Sequence, residues 1–209
     1  MISIQQFRNE IKNELIKGIL PFWMNQAADY QRGGFYGEIS NERQINPHAE
    51  KGGILNSRIL WTFASAYRRF KDERYRDMAD RTFNYIKQHF WDDQYEGLYF
   101  TVDSQGKVAD SRKQVYNLAF GIYGFSEYYR ATGVEEGLNL AIRLYSLIEK
   151  YCHDNLNKGY FEAFSRDWSM YGDSRLSLSD PNEKKSMNTH LHLLEAYTNL
   201  LRVWESEEL

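Results

Sequence analysis

Three times along the chain a polar, Asp-containing turn runs into a glycine and an aromatic cluster. The clusters are Gly34-Phe35-Tyr36, Gly97-Leu98-Tyr99-Phe100 and Gly159-Tyr160-Phe161, at steps of 63 and 62 residues. A period of this length marks stacked supersecondary units that bury their apolar faces against one another. Each turn is followed by a nearly all-apolar stretch at helical spacing: about residues 53–70, about 112–132, and a third opening at Ser186. The stretches between them, about 72–89 and 134–151, are amphipathic, with acids and bases on one side. A helix that is apolar nearly all round is buried, whereas one with a polar face lies on the surface. One inner and one outer helix per repeat, joined by short β-hairpins on one rim, is the pattern of an all-α toroid. Three of each make half of a closed ring, and residues 1–209 read as a single domain.

The first outer helix starts at a capping box, Ser3 with Gln6, and keeps apolar spacing through Ile4, Phe7, Ile11, Leu15 and Ile16. Gly18 and Pro21 are expected to close it. A net charge of −3 with scattered Lys and Arg speaks against a nucleic-acid footprint, which needs a clustered basic surface. No apolar run approaches the length of a membrane span, and the first residues lack the apolar core of a signal peptide. The single cysteine, Cys152, leaves no internal disulfide and fits a reducing, cytoplasmic setting. A half ring would leave apolar flanks open, so self-association or a complementing C-terminal half is expected.

The third inner helix, Met187-Asn-Thr-His-Leu-His-Leu-Leu-Glu-Ala-Tyr-Thr198, sets polar groups among apolar ones. At 100° per residue Asn188, His192 and Glu195 share one face, and His190 points elsewhere, toward inter-helix packing. An unpaired polar group on a buried helix costs about 1–3 kcal/mol, so the three together are read as a pocket wall. Arg58 near the start of the first inner helix, and Tyr116 with Asn117 at the start of the second, raise the same question. Arg58 is either a ligand clamp or half of a structural ion pair, and Tyr116 and Asn117 are either pocket wall or core. Trp61 and Phe120 read as core more readily than as stacking platforms. Tyr36 and Trp168 lie near the hairpins.

The motifs Gly33-Gly-Phe-Tyr-Gly37, Asn56-Ser-Arg-Ile-Leu-Trp61, Tyr116-Asn-Leu-Ala-Phe-Gly-Ile-Tyr123, Tyr160-Phe-Glu-Ala-Phe-Ser-Arg-Asp-Trp168 and Met187 to Thr198, taken in this order, resemble the N-acylglucosamine 2-epimerase superfamily, and within it the cellobiose 2-epimerases. The resemblance implies half of an (α/α)6 barrel, the full barrel being about twice this long. It implies inversion at C2 of a free sugar such as cellobiose, through proton removal beside a carbonyl and reprotonation on the other face, with no metal and no other cofactor. Histidine suits that proton transfer, and cationic donors suit the enediolate oxygens. On this resemblance His192 is one of the acid/base histidines and Arg58 a clamp on the sugar oxygens. Tyr116, Asn117, Asn188, Trp61, Trp168 and Tyr36 become sugar-binding candidates, and Glu195 orients His192. Two other readings are a non-catalytic half barrel that binds sugar or self-associates, and an (α/α)6 glycoside hydrolase. The hydrolase needs paired carboxylates, and the inner helices are read as offering Glu195 alone.

Overall fold

The computed structural model describes residues 3–177 and 179–209. In chain order it contains α1 (Ile4–Glu14), the pair β1 (Glu38–Ile39) and β2 (Ile45–Asn46), β3 (Lys51–Gly52), α2 (Gly53–Phe70), α3 (Glu73–Tyr85), β4 (Thr101–Val102), β5 (Val108–Asp110), β6 (Lys113–Gln114), α4 (Val115–Thr132), α5 (Glu135–Tyr151), β7 (Ala163–Phe164) and α6 (Met187–Leu201). Helices α2, α4 and α6 form the inner layer. Helix α4 packs against α2 and α6 on either side and against α5 behind, and α3 packs on α2. Antiparallel pairs β3–β4 and β6–β7 tie each repeat to the next on the rim where the inner helices begin. No helix among the described residues is long and apolar enough to cross a membrane.

Most helix limits follow from local chemistry. Ser3 Oγ accepts from the Gln6 N–H at 3.2 Å while Gln6 Oε1 accepts from the Ser3 N–H at 2.9 Å, closing the capping box on α1. Ser186 Oγ accepts from the Thr189 N–H at 3.1 Å and starts α6. Two expectations need correction. Pro21 does not end the first helical run, which continues through π-turns at Leu15–Ile19 and Trp23–Ala27. The proline falls where the π-turn gives way to the short α segment Leu20–Phe22, at the change in hydrogen-bond spacing. Nor is α6 enclosed on all sides. Leu193, Ala196 and Leu200 are buried, but Met187, Leu191, Leu194 and Leu201 are exposed along the open edge of the half ring. The most enclosed helix is α4, with Val115, Leu118, Ile122 and Phe125 fully covered.

The repeated turn has one backbone solution used three times. Residue pairs Gly33-Gly34, Glu96-Gly97 and Lys158-Gly159 all take positive φ. At Gly97 φ is 79°, and an added Cβ would also meet the Trp168 ring at 3.0 Å, so only glycine fits. An aspartate opens each turn. Asp29, Asp92 and Asp154 each accept, through Oδ1, two backbone N–H bonds from residues two and three further on. Each also holds a lysine that stands shortly before the next inner helix: Lys51 Nζ to Asp29 at 2.8 Å, Lys113 to Asp92 at 2.9 Å and Lys185 to Asp154 at 2.6 Å. The first two lysines are fully buried. Arg166 adds a bidentate bond to Asp92, both contacts at 2.9 Å.

These clasps make stability pH-dependent with a definite sign. Burial pushes the Asp92 carboxyl up, but the Arg166 and Lys113 donors outweigh it and hold the group well below the usual carboxylate range. Asp29 is lowered against the same burial by Lys51 and by backbone donors. At Asp154 the Lys185 ammonium is the main cause of a similar lowering. A folded pKa below the unfolded value of about 3.9 gives stabilisation that is fully present above that value and fades as pH falls below it. Urea midpoints are expected to hold between pH 8 and pH 5.5 and to fall steeply by pH 3, with a shallower fall in Asp154→Asn. A midpoint unchanged at pH 3 would remove the clasps from the account.

Candidate active site

Because the inner helices start in register, their residues align by rank. Arg58, Phe120 and His192 are each sixth in their helix, while Trp61, Tyr123 and Glu195 are each ninth. The second-ranked residues are Ile54, Tyr116 and Asn188. These ranks, one turn apart, face the hollow of the half ring. The Arg58 guanidinium lies 5.1 Å from the Phe120 ring centre, and the His192 ring lies 4.8 Å from the same ring. Tyr116 meets His192 edge-on at 4.7 Å. One turn below, Trp61 stacks on Tyr123 at 5.0 Å with an 8° tilt. Arg58 is exposed rather than buried, so the cost of an enclosed guanidinium does not arise. An open cavity of about 650 Å³ runs from Arg58 past Leu55 to Trp23 and Glu50.

His192 Nδ1 lies 2.6 Å from Glu195 Oε2. A carboxylate can only accept, so in the neutral ring Nδ1 carries the proton and Nε2 the lone pair. That is the tautomer a proton-abstracting histidine needs. Burial pushes the neighbouring Tyr116 hydroxyl up, so it stays protonated as a donor. Among the described residues no group of three or more His, Cys, Asp or Glu side chains is gathered as metal ligands would be.

Asn117 and Trp168 lie off this row. Asn117 is third in its helix, not second, and is fully buried behind the inner face. Its Nδ2 donates to the Tyr99 carbonyl at 3.0 Å and its Oδ1 sits against Gly53, so it ties the start of α4 to the second turn, packs on the start of α2 and does not join Arg58 and His192 in the hollow. Trp168 is buried as well, stacked on Tyr151 at 4.8 Å with its Nε1 donating to the Tyr95 carbonyl at 2.7 Å. Tyr36 lines a rim cavity with Tyr30 and Arg43, and another that shares Trp23, Gly37 and Leu55 with the Arg58 cavity. Asn188 is exposed one turn above His192, beside Glu162 and Arg175 under the loop that leads into α6. His190 does join turn to helix: its Nδ1 donates to the Ser186 carbonyl and its Nε2 accepts from the Tyr160 N–H. Tyr123 was not singled out from the sequence, although the 62-residue step from Trp61 marks it. Glu127 is a second acid on an inner helix, contrary to the reading of Glu195 as the sole one. It is buried near the far end of α4, bound to Arg68 at 2.7 Å and Ser65 at 3.1 Å, so it forms no carboxylate pair with Glu195 across a cleft.

The sequence model of the N-acylglucosamine 2-epimerase (GlcNAc 2-epimerase) family matches residues 34–203. The chain belongs to this family. Among N-acylglucosamine 2-epimerase family members it is 47% identical to a cellobiose 2-epimerase of Bacteroides fragilis over 202 residues, which are 97% of this chain and 52% of the relative. A Ruminococcus albus cellobiose 2-epimerase is 42% identical over 96% of this chain and 51% of its own. The solved structure of cellobiose 2-epimerase from Bacillus thermoamylovorans superposes with a TM-score of 0.93 at 43% identity, covering 98% of this chain and 53% of that one. The chain thus spans about half the length of the family members it matches, and its three inner and three outer helices form the N-terminal half of an (α/α)6 barrel.

Proposed function

We propose that this chain supplies the N-terminal half of the active site of a sugar 2-epimerase acting at the reducing end of a free sugar such as cellobiose. The observation that carries the reading is the row Arg58, Phe120, His192, with Glu195 on Nδ1 so that the neutral imidazole carries its lone pair on Nε2. With an open-chain aldose in the hollow, Nε2 takes the C2 proton and the electron pair moves into the C1–C2 bond. The carbonyl oxygen becomes an enediolate oxygen facing the Arg58 guanidinium. Return of a proton to the opposite face of C2 gives the epimer and requires a second acid on the far side of the ring. Helices α2, α4 and α6 offer no second histidine of that rank, so that acid is assigned to the other half of the barrel. The stacked Trp61 and Tyr123 rings and Tyr116 are suited to the apolar faces and hydroxyls of a pyranose.

Incubated alone with cellobiose in deuterated water, the chain is expected to leave C2 unlabelled above the buffer rate. With a separately produced C-terminal half of the Bacteroides fragilis relative, co-elution, C2 labelling and epimer formation are expected together. Co-elution without any exchange at C2 would sink the reading, as would an enzyme-like rate from the chain alone that survives His192→Ala.

A further inference from the structure

The three rim hairpins align loop residue for loop residue. In each, the first loop residue donates its N–H to the carbonyl of the fifth, and the fourth donates to the carbonyl of the first. The fourth residue is Arg43, Gly106 or Trp168, and all three take positive φ. Its counterpart at the end of the preceding outer helical run stands two residues before the bridge that closes each turn: Gln26, His89 or Tyr151. In the second repeat these two positions meet, with His89 Nδ1 3.0 Å from the Gly106 carbonyl oxygen. In the third they meet again, Tyr151 stacking on Trp168 at 4.8 Å. In the first repeat Gln26 and Arg43 instead line a cavity of about 450 Å³. Its lining lies wholly between residues 25 and 45, and none of it lines the Arg58 cavity. Both closing contacts are made inside one repeat, so the first repeat is open through its own residues and not for want of a neighbour.

We propose that this cavity binds a saccharide unit, at a site separate from the Arg58–His192 hollow. Its size lies in the range of small-molecule sites, about 300–1,000 Å³. Around it stand three primary amides, Asn25, Gln26 and Gln31, with Tyr30, Tyr36 and the Arg43 guanidinium. No carboxylate lines it, and the three amide side chains make no hydrogen bond among the described residues. Amides and phenols both donate and accept, as sugar hydroxyls do. An anion only accepts, and Arg43 is the one cation among the described lining residues, so a neutral polyol suits the set better than a charged ligand. The Tyr30 ring supplies a flat face. It is 64% exposed yet fixed, its hydroxyl donating to the Met24 carbonyl at 2.8 Å and the Arg81 guanidinium standing 5.0 Å from its centre. A tyrosine already held in place gives contact area at little entropic cost. The site does not depend on the epimerase reading.

The test follows the side-chain amide signals of Asn25, Gln26 and Gln31 in the nitrogen-15 NMR spectrum of the full chain, titrated with cellobiose. Saturable shifts in the millimolar range are expected, unchanged in His192→Ala, which alters only the hollow. The double variant Q26H/R43G gives the first repeat the residues that close the second. Glycine suits the positive φ at position 43, so the parent circular dichroism should be kept. Binding read at Asn25 and Gln31 is expected to weaken at least tenfold. A second variant, N25A/Q31A, changes only exposed side chains and should weaken binding read at Gln26 to a similar degree. Shifts that stay linear to 100 mM would overturn the proposal. So would shifts lost in His192→Ala, shifts with sodium phosphate but none with cellobiose, or either double variant binding as well as the parent.

Discussion

Replacing Lys113 with methionine is expected to destabilise the chain by about 3–5 kcal/mol, the usual cost of removing one partner from a buried ion pair. Asp92 and Lys113 have no exposed surface, and the carboxylate also organises the second turn through the Gln94 and Tyr95 N–H groups. The variant leaves that carboxylate with only the 40%-exposed Arg166 as a cation. A loss of that size is a large share of the 5–15 kcal/mol that holds a domain folded. Urea unfolding followed by circular dichroism measures it. Adding Asp92→Asn to the methionine variant removes the stranded charge while keeping an oxygen for the backbone donors, and should recover at least half of the loss. A cost below about 1 kcal/mol for the single variant would mean that water reaches the pair.

The second large effect concerns proton transfer. In the complex with a C-terminal half, His192→Ala is expected to lower the rate of C2 exchange by about 10²–10⁴, the range that one positioned general acid/base contributes. Alanine is the best helix former and His192 is partly exposed, so the fold should survive the change. Glu195→Gln keeps a hydrogen-bond acceptor beside Nδ1 but removes the charge that steadies an imidazolium. It is expected to lower the rate of C2 exchange about tenfold, the lower end of what a partner that orients a functional histidine contributes. Equal exchange rates in the His192→Ala complex and the parent would remove His192 from the mechanism.

The fold was legible because one period governs it. Buried and amphipathic helices alternate, the turns recur at 63 and 62 residues, and α2 and α6 start where the pattern places them. The same period carries more than was taken from it, since ranks six and nine of the three helices pick out Phe120 and Tyr123 beside Arg58 and His192. Asn117 misled because a polar residue at a helix start reads equally well as pocket wall or as a tie to a neighbouring turn. Only its rank, one step off the row, separates the two. Trp168 misled because nearness to the hairpins in sequence says nothing about which side of the rim a ring faces. The lysine clasps escaped notice because buried lysine is rare and its partner lies in another turn of the chain, invisible to any local pattern. The exposure of α6 belongs to the same class, since apolarity is a property of the helix and burial one of its neighbours.

The clasps also set the distances over which this chain must find itself. They join residues 22, 21 and 31 apart, and the strand pairs on the rim link each repeat only to the next. Contacts so short in sequence keep loop-closure entropy small and favour rapid, stepwise acquisition of structure. Each turn can lock as soon as the lysine ahead of its following helix has emerged from synthesis. A toroid built in this way grows as an arc whose segments are complete before its circumference is.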